Sequence, residues 1–115
     1  DDDHFLAFQR WWLNEGSTAI PCYFWGDLDF SGMAILAALG QSFTHIAAWQ
    51  PGYQAMLNYH ARGLCHSGEA SGKEHQRDPG PNHCAYANDV LLPVLRTTQR
   101  FVDQEVVGMG DLHAD

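Results

Sequence analysis

The stretch that most restricts the fold is AIPCYFWGDLDFSGMAIL, residues 19–36. Its first part, residues 19–25, is a short continuous apolar run rich in aromatics and bounded by glycine on either side. That pattern reads as a strand buried on both faces. Pro21 stands near the start of the run, where a missing N–H is best tolerated. Asp27 and Asp29 follow at once. Ser31 and Gly32 then open a helical pattern, with Ile35, Leu36 and Leu39 on its apolar face and Gly40 placed to end it. Strand, acidic turn and helix together form the repeating half-unit of an open sheet.

The rest of the chain extends this alternation. Residues 5–13, FLAFQRWWL, carry apolar side chains at helical spacing and stop at Gly16, which predicts a first helix. HIAAW (45–49) predicts a second short strand, Pro51-Gly52 a turn, and YQAMLNYH (53–60) a further helix. Residues 61–82 are polar and broken by glycine and proline, longer than an ordinary connector; they read as a flexible insertion loop. CAYANDVLLPVL (84–95) resumes a helical pattern that Pro93 is expected to kink or end. RFVDQEVV (100–107) brings a last apolar pair up to Asp103 and Glu105. The expectation is one α/β domain with an open, mainly parallel sheet flanked by helices.

Composition limits what such a domain can do. Fourteen acidic residues against six Lys and Arg leave a formal charge of −8, which excludes a protein that grips nucleic acid by its own surface charge. Three cysteines (Cys22, Cys65 and Cys84) do not make a disulfide scaffold and point to a reducing, cytoplasmic setting. No apolar stretch approaches the roughly 20 residues of a membrane span, so no membrane partner is expected. The chain begins Asp-Asp-Asp-His-Phe without a methionine and reads as an excised piece of a larger protein.

The chemistry is sought where ligands gather in open α/β sheets, beyond the carboxyl ends of the strands, and Asp27 and Asp29 stand at such an end. Two carboxylates this close penalise each other's ionisation unless a cation lies between them, and hard divalent ions prefer carboxylate oxygens. Spacing alone leaves two readings open: a metal site, or a turn closed by Asp27 with a helix capped by Asp29. Asp103 and Glu105 form a second acidic pair, which strengthens the first only if the sheet brings the two together. Cys65-His66 and His83-Cys84 match no compact zinc spacing, and the tryptophans read as packing.

With these residues in view, YFWGDLDFSGMAIL, AWQPGY and RFVDQE together resemble the C-terminal Toprim-type domain of the Wadjet anti-plasmid nuclease subunit. That family is similar in turn to the metal-binding domain of the topoisomerase VI A subunit. The resemblance spans about residues 20–106. It implies a Toprim-like fold that binds Mg²⁺, with Mn²⁺ as an alternative, in a nuclease that cuts DNA. It also implies that Asp27 and Asp29 are the Asp-x-Asp metal ligands and that Asp103 and Glu105 belong to the late acidic segment, with Asp27, Asp29 and Glu105 in catalytic positions. The family's earlier glutamate is not found: either Asp3, which stands in its place, substitutes for it, or the glutamate was lost with an excised segment; the ligand set is incomplete, and the isolated piece is expected to be inactive.

The implied partners are DNA in the context of the full-length protein, condensin-like ATPase subunits of the same system, and a second copy of the chain as a homodimer. Two rival readings stand beside this one. FWGDLDFS also resembles the haloacid-dehalogenase phosphatase signature, with Asp27 as nucleophile and Asp29 as acid/base. Against that reading, Ser31 replaces the usual Thr or Val, and the single lysine, Lys73, lies in the loop. The other rival is a non-catalytic Toprim-like module whose role is assembly.

Overall fold

The computed structural model describes residues 6, 7, 10 and 21–112. The helix expected over 5–13 and the site candidate Asp3 fall largely or wholly outside these residues; Leu6, Ala7 and Arg10 are helical. The elements in chain order are β1 (Tyr23–Phe24), α1 (Phe30–Ser42), β2 (Ala47–Ala48), α2 (Gln50–Ala61), β3 (His66–Ser67) and α3 (Gly68–Ser71). A π-helical turn (Ala87–Leu91) then leads into α4 (Leu92–Thr98), followed by β4 (Arg100–Phe101) and 3₁₀ turns at Gln104–Val106 and Met109–Asp111. No helix among the described residues is long and apolar enough to cross a membrane.

β1 and β2 pair in parallel, with Tyr23 opposite Ala47 and Phe24 opposite Ala48. The strand–helix–strand unit built on the acidic turn therefore forms as the sequence indicates. Elsewhere the described pairing is antiparallel: β3 lies against β4, with His66 opposite Phe101, and Leu28 pairs with Val102. The expectation of a mainly parallel sheet is thus met by β1–β2 alone. The late chain returns alongside the acidic turn from the opposite direction.

The core explains why these short strands hold. Leu28, Met33, Leu36, Tyr53, Met56, Leu91, Leu92, Leu95 and Val102 are fully buried and contribute from every principal helix and from the Leu28–Val102 pair. Each such side chain removes apolar surface worth about 1.5–3 kcal/mol from water. Trp25 and Trp49 meet edge to face at 5.1 Å, and the Trp25 indole N–H donates to the Met56 sulfur at 3.3 Å, which fits the packing role expected of them. The described part of the apolar run is less buried than expected, however: Tyr23 is 60% exposed, while Cys22, Phe24 and Trp25 pack against the core only partly buried.

Three local expectations change with the packing. Gly40 does not end α1, which continues to Ser42; a Cβ at Gly40 would collide with the His83 ring, so its role is close contact. Pro51-Gly52 does not precede α2 but forms its first turn, where a proline lacks only an N–H that has no partner in the helix. Pro93 does not end its helix, which runs on to Thr98. Its ring and missing N–H disturb the bond to the fourth residue back, and the π turn just before it carries the strain, with the Leu92 N–H reaching the Ala87 carbonyl.

Segment 61–82, expected as a flexible insertion loop, contains β3 and α3 and is tied down at several points. The Arg96 guanidinium holds Asp78 at 2.6 and 3.1 Å. Buried Asn82 donates to the Met33 carbonyl at 3.2 Å and accepts from the Cys84 N–H at 3.0 Å.

Candidate metal centre

The site grows from the backbone around Leu28. In an extended segment alternate side chains face opposite ways, so burying Leu28 in the core turns Asp27 and Asp29 to the other side. The Leu28 N–H donates to the Val102 carbonyl at 2.8 Å, and the Val102 N–H returns to the Leu28 carbonyl at 3.2 Å. That reciprocal pair sets an antiparallel register in which residue 103 lies across from residue 27. Burial of Val102 likewise turns Asp103 away from the core, toward the first two aspartates.

Each of the first two carboxylates divides its oxygens between architecture and site. Asp29, 2% exposed, accepts the Gly32 N–H on Oδ1 at 2.7 Å and so caps α1, leaving Oδ2 free to face outward. Asp27 accepts the Gln104 N–H on Oδ1 at 2.7 Å, which ties the late segment to the acidic turn, and its Oδ2 faces the same space. The two readings left open by the spacing are therefore compatible, because capping uses one oxygen of Asp29 and leaves the other. Gly32 makes the cap geometry feasible, since a Cβ there would collide with the Asp27 carbonyl oxygen. Tyr53 steadies the turn by accepting the Gly26 N–H at 3.1 Å, and its phenol is raised well above its ordinary range, chiefly by burial.

All three aspartates converge on one cation. The Lys73 ammonium lies 2.6 Å from Asp29 Oδ2, 2.7 Å from Asp103 Oδ1 and 3.4 Å from Asp27 Oδ2. Burial works against the Lys73 charge, yet its hydrogen bonds to Asp103 and Asp29 outweigh this and hold it above the ordinary lysine range. The same bond from Lys73 is the main cause that keeps Asp103 below the usual carboxylate range. Gln76 completes the enclosure: its Nε2 donates to Asp29 Oδ2 at 3.3 Å, and its Oε1 accepts the Ser31 N–H at 3.1 Å. A cavity of about 180 Å³ opens between Phe24, Asp27, Asp29, Ile35, Lys73 and Gln76.

His66 stands at the edge of the cluster. Its Nδ1 lies 3.4 Å from the Ser67 carbonyl, while its Nε2 is 3.4 Å from Asp103 Oδ1, close enough for charge attraction but too poorly aligned for a hydrogen bond. Glu105 does not join. It is exposed on the 3₁₀ turn that follows Asp103.

The sequence reading therefore located Asp27, Asp29 and Asp103 and missed Lys73, Gln76 and His66. Lys73 does lie in a loop, just after α3, but its ammonium reaches all three aspartates. The signal available was its being the sole lysine of a markedly acidic chain.

Three carboxylate oxygens, the donor type that hard divalent ions prefer, face one point, and the Lys73 ammonium stands there. As drawn together by Lys73, they do not form a ready-made cage; among the described residues no group of three or more His, Cys, Asp or Glu side chains does.

The model of the family described as "Wadjet protein JetD, C-terminal" matches residues 7–114. The chain belongs to this family. Membership ties it to the Wadjet anti-plasmid system, a multi-subunit assembly, and the match takes in the acidic turn, the Lys73 segment and Asp103 together. No curated protein and no solved structure matches the chain.

Proposed function

We propose that this chain is the metal-dependent, DNA-cleaving Toprim-type module of a Wadjet anti-plasmid nuclease. The observation that carries the reading is the convergence of Asp27, Asp29 and Asp103, from segments far apart in the chain, on a single cationic nitrogen. Asp27, Asp29 and Asp103 would hold Mg²⁺ or Mn²⁺. Bound there, such an ion supplies charge compensation for a phosphodiester and acidifies its water.

The chain's own residues prepare that position. The Gly32 N–H fixes one oxygen of Asp29 and so aims the other; the Gln104 N–H does the same for Asp27. Burial of Asp29 keeps water from competing for its oxygens. A net charge of −8 disfavours gripping DNA with the chain's own surface, so this reading leaves that grip to other domains and to condensin-like ATPase subunits. Glu105 and Asp3 are left outside this ligand set, the first for its exposure and the second because it lies beyond the described residues.

The test uses the intact protein with its partner ATPase subunits and circular plasmid DNA. Asp27→Asn is the informative variant, because Asp27 is 44% exposed at its side chain and its loss should leave the fold standing. Cleavage is expected to fall by at least about a hundredfold, as for removal of a metal ligand and the charge it stabilises. Undiminished cutting by Asp27→Asn, or cutting in the presence of a chelator, would overturn the proposal.

A second reading gains one observation. The lysine that a haloacid-dehalogenase phosphatase needs beside its aspartates is present, since Lys73 contacts both. The acid/base position tells against it, because both oxygens of buried Asp29 are already bonded. Turnover of a generic phosphomonoester through an aspartyl-phosphate at Asp27 would favour it. A non-catalytic assembly module would bind no divalent ion at all.

A further inference from the structure

Resting on the metal-binding reading above, we infer that Lys73 is a built-in competitor for the metal: an ammonium that closes the acidic site and must leave it, with its segment, when a divalent ion enters.

The charges make the competition direct. Three carboxylates and one ammonium leave a net −2, so the site stays strongly attractive to cations even with Lys73 in place. A divalent ion at the same point neutralises twice as much charge. Lys73 and the ion cannot both occupy the space between oxygens that already lie 2.6–3.4 Å from Nζ. Lys73 holds its advantage through its tether, since a linked group competes at an effective concentration in roughly the millimolar range.

The segment is built both to deliver the lysine and to withdraw it. Gly72, at φ +75°, ends α3 in the left-handed conformation, and the Lys73 N–H bonds back to the Gly68 carbonyl at 2.6 Å. A side chain at Gly68 would press on the backbone of Lys73 and Glu74 at 3.1–3.2 Å, so this tight return depends on glycine. Lys73 and Gln76 line the 180 Å³ cavity at the aspartates and also a second one, of about 270 Å³, on the side of Ser67 and Phe101. They form the partition between the two spaces. The ammonium therefore has open volume to move into, and Gln76, which bonds both Asp29 and the Ser31 N–H, would be released with it.

The experiment compares the intact wild-type protein with Lys73→Met and Lys73→Arg, using Mn²⁺ alone as probe. Affinity is read from the electron-paramagnetic signal of free Mn²⁺, and hydrogen exchange is followed over residues 68–76. Lys73→Met is expected to bind Mn²⁺ at least about a hundredfold more tightly, the factor by which two charge-assisted hydrogen bonds would hold the site closed. Lys73→Arg, which keeps the charge, should stay near wild type. In the wild type, saturating Mn²⁺ should speed exchange over 68–76, a readout that needs no variant. Equal or weaker binding by a folded Lys73→Met, or unchanged exchange at saturation, overturns the competitor role while leaving the metal site standing. Absence of binding in wild type and Lys73→Met alike would remove the metal reading and this inference together.

Discussion

Among the described residues the pattern acid-x-acid occurs twice, and the backbone treats the two copies differently. Asp27 and Asp29 flank Leu28 in extended chain, where residues two apart share a face, and both present an oxygen to Lys73. Asp103 and Glu105 have the same spacing, but Asp103 precedes a 3₁₀ turn that begins at Gln104. Three residues per turn swing Glu105 away from the direction of Asp103, and it ends exposed. Spacing in sequence becomes spacing in the site only through the local backbone period.

The two members of the first pair also differ, in burial, and this is where the comparison can be broken most decisively. Asp29→Ala removes the cap of α1 and leaves Lys73 short of its closest partner in a buried setting. It is expected to cost about 3 kcal/mol or more in urea denaturation. A loss below about 1 kcal/mol would mean that Asp29 is no more structural than its exposed neighbours.

A smaller effect should come from pH, measured without metal. Folding lowers the Asp103 value, so its contribution is present above the ordinary carboxylate pKa of about 4 and is lost as pH falls through the lowered folded value. Folding raises the Lys73 value, so that contribution is complete below the ordinary lysine pKa of about 10.4 and is lost as pH rises toward the folded one. Denaturation of wild type and Asp103→Asn across pH should show a constant difference between these limits. That difference should disappear in acid; if it persists, Lys73 is not what holds Asp103 ionised.

The smallest effect is expected at Glu105. Glu105→Gln should change stability by no more than about 0.5 kcal/mol and leave Mn²⁺ affinity within twofold of wild type, as for an exposed residue outside a network. An effect on affinity comparable to that of Asp27→Asn would place Glu105 in the ligand set and erase the contrast between the pairs.

Much of this was legible before any coordinates. The apolar run, the acidic turn and the following helix are local features, fixed by side-chain alternation and capping within a few residues, and β1, Asp27, Asp29 and α1 appear where the pattern puts them. Local rules misplaced the ends of helices where a distant ring intervened, as His83 does at Gly40 and Trp25 at Gly52. In both places the glycine serves a contact that no window of sequence contains. The family, too, could be read from the acidic turn and its flanking strings.

What the sequence by itself determined is the pair Asp27–Asp29, held on one face because burying the intervening leucine leaves no other arrangement. What only the tertiary structure decided is the company they keep. Asp103 joins through the antiparallel return of Val102 to Leu28, a register set by hydrogen bonds across 74 positions of chain. Lys73 joins because α3 and its glycines fold segment 61–82 back over the site. Neither is encoded in a local period: long-range pairing depends on the whole core, and the charge of one lysine gains its meaning from three carboxylates that the fold collects around it.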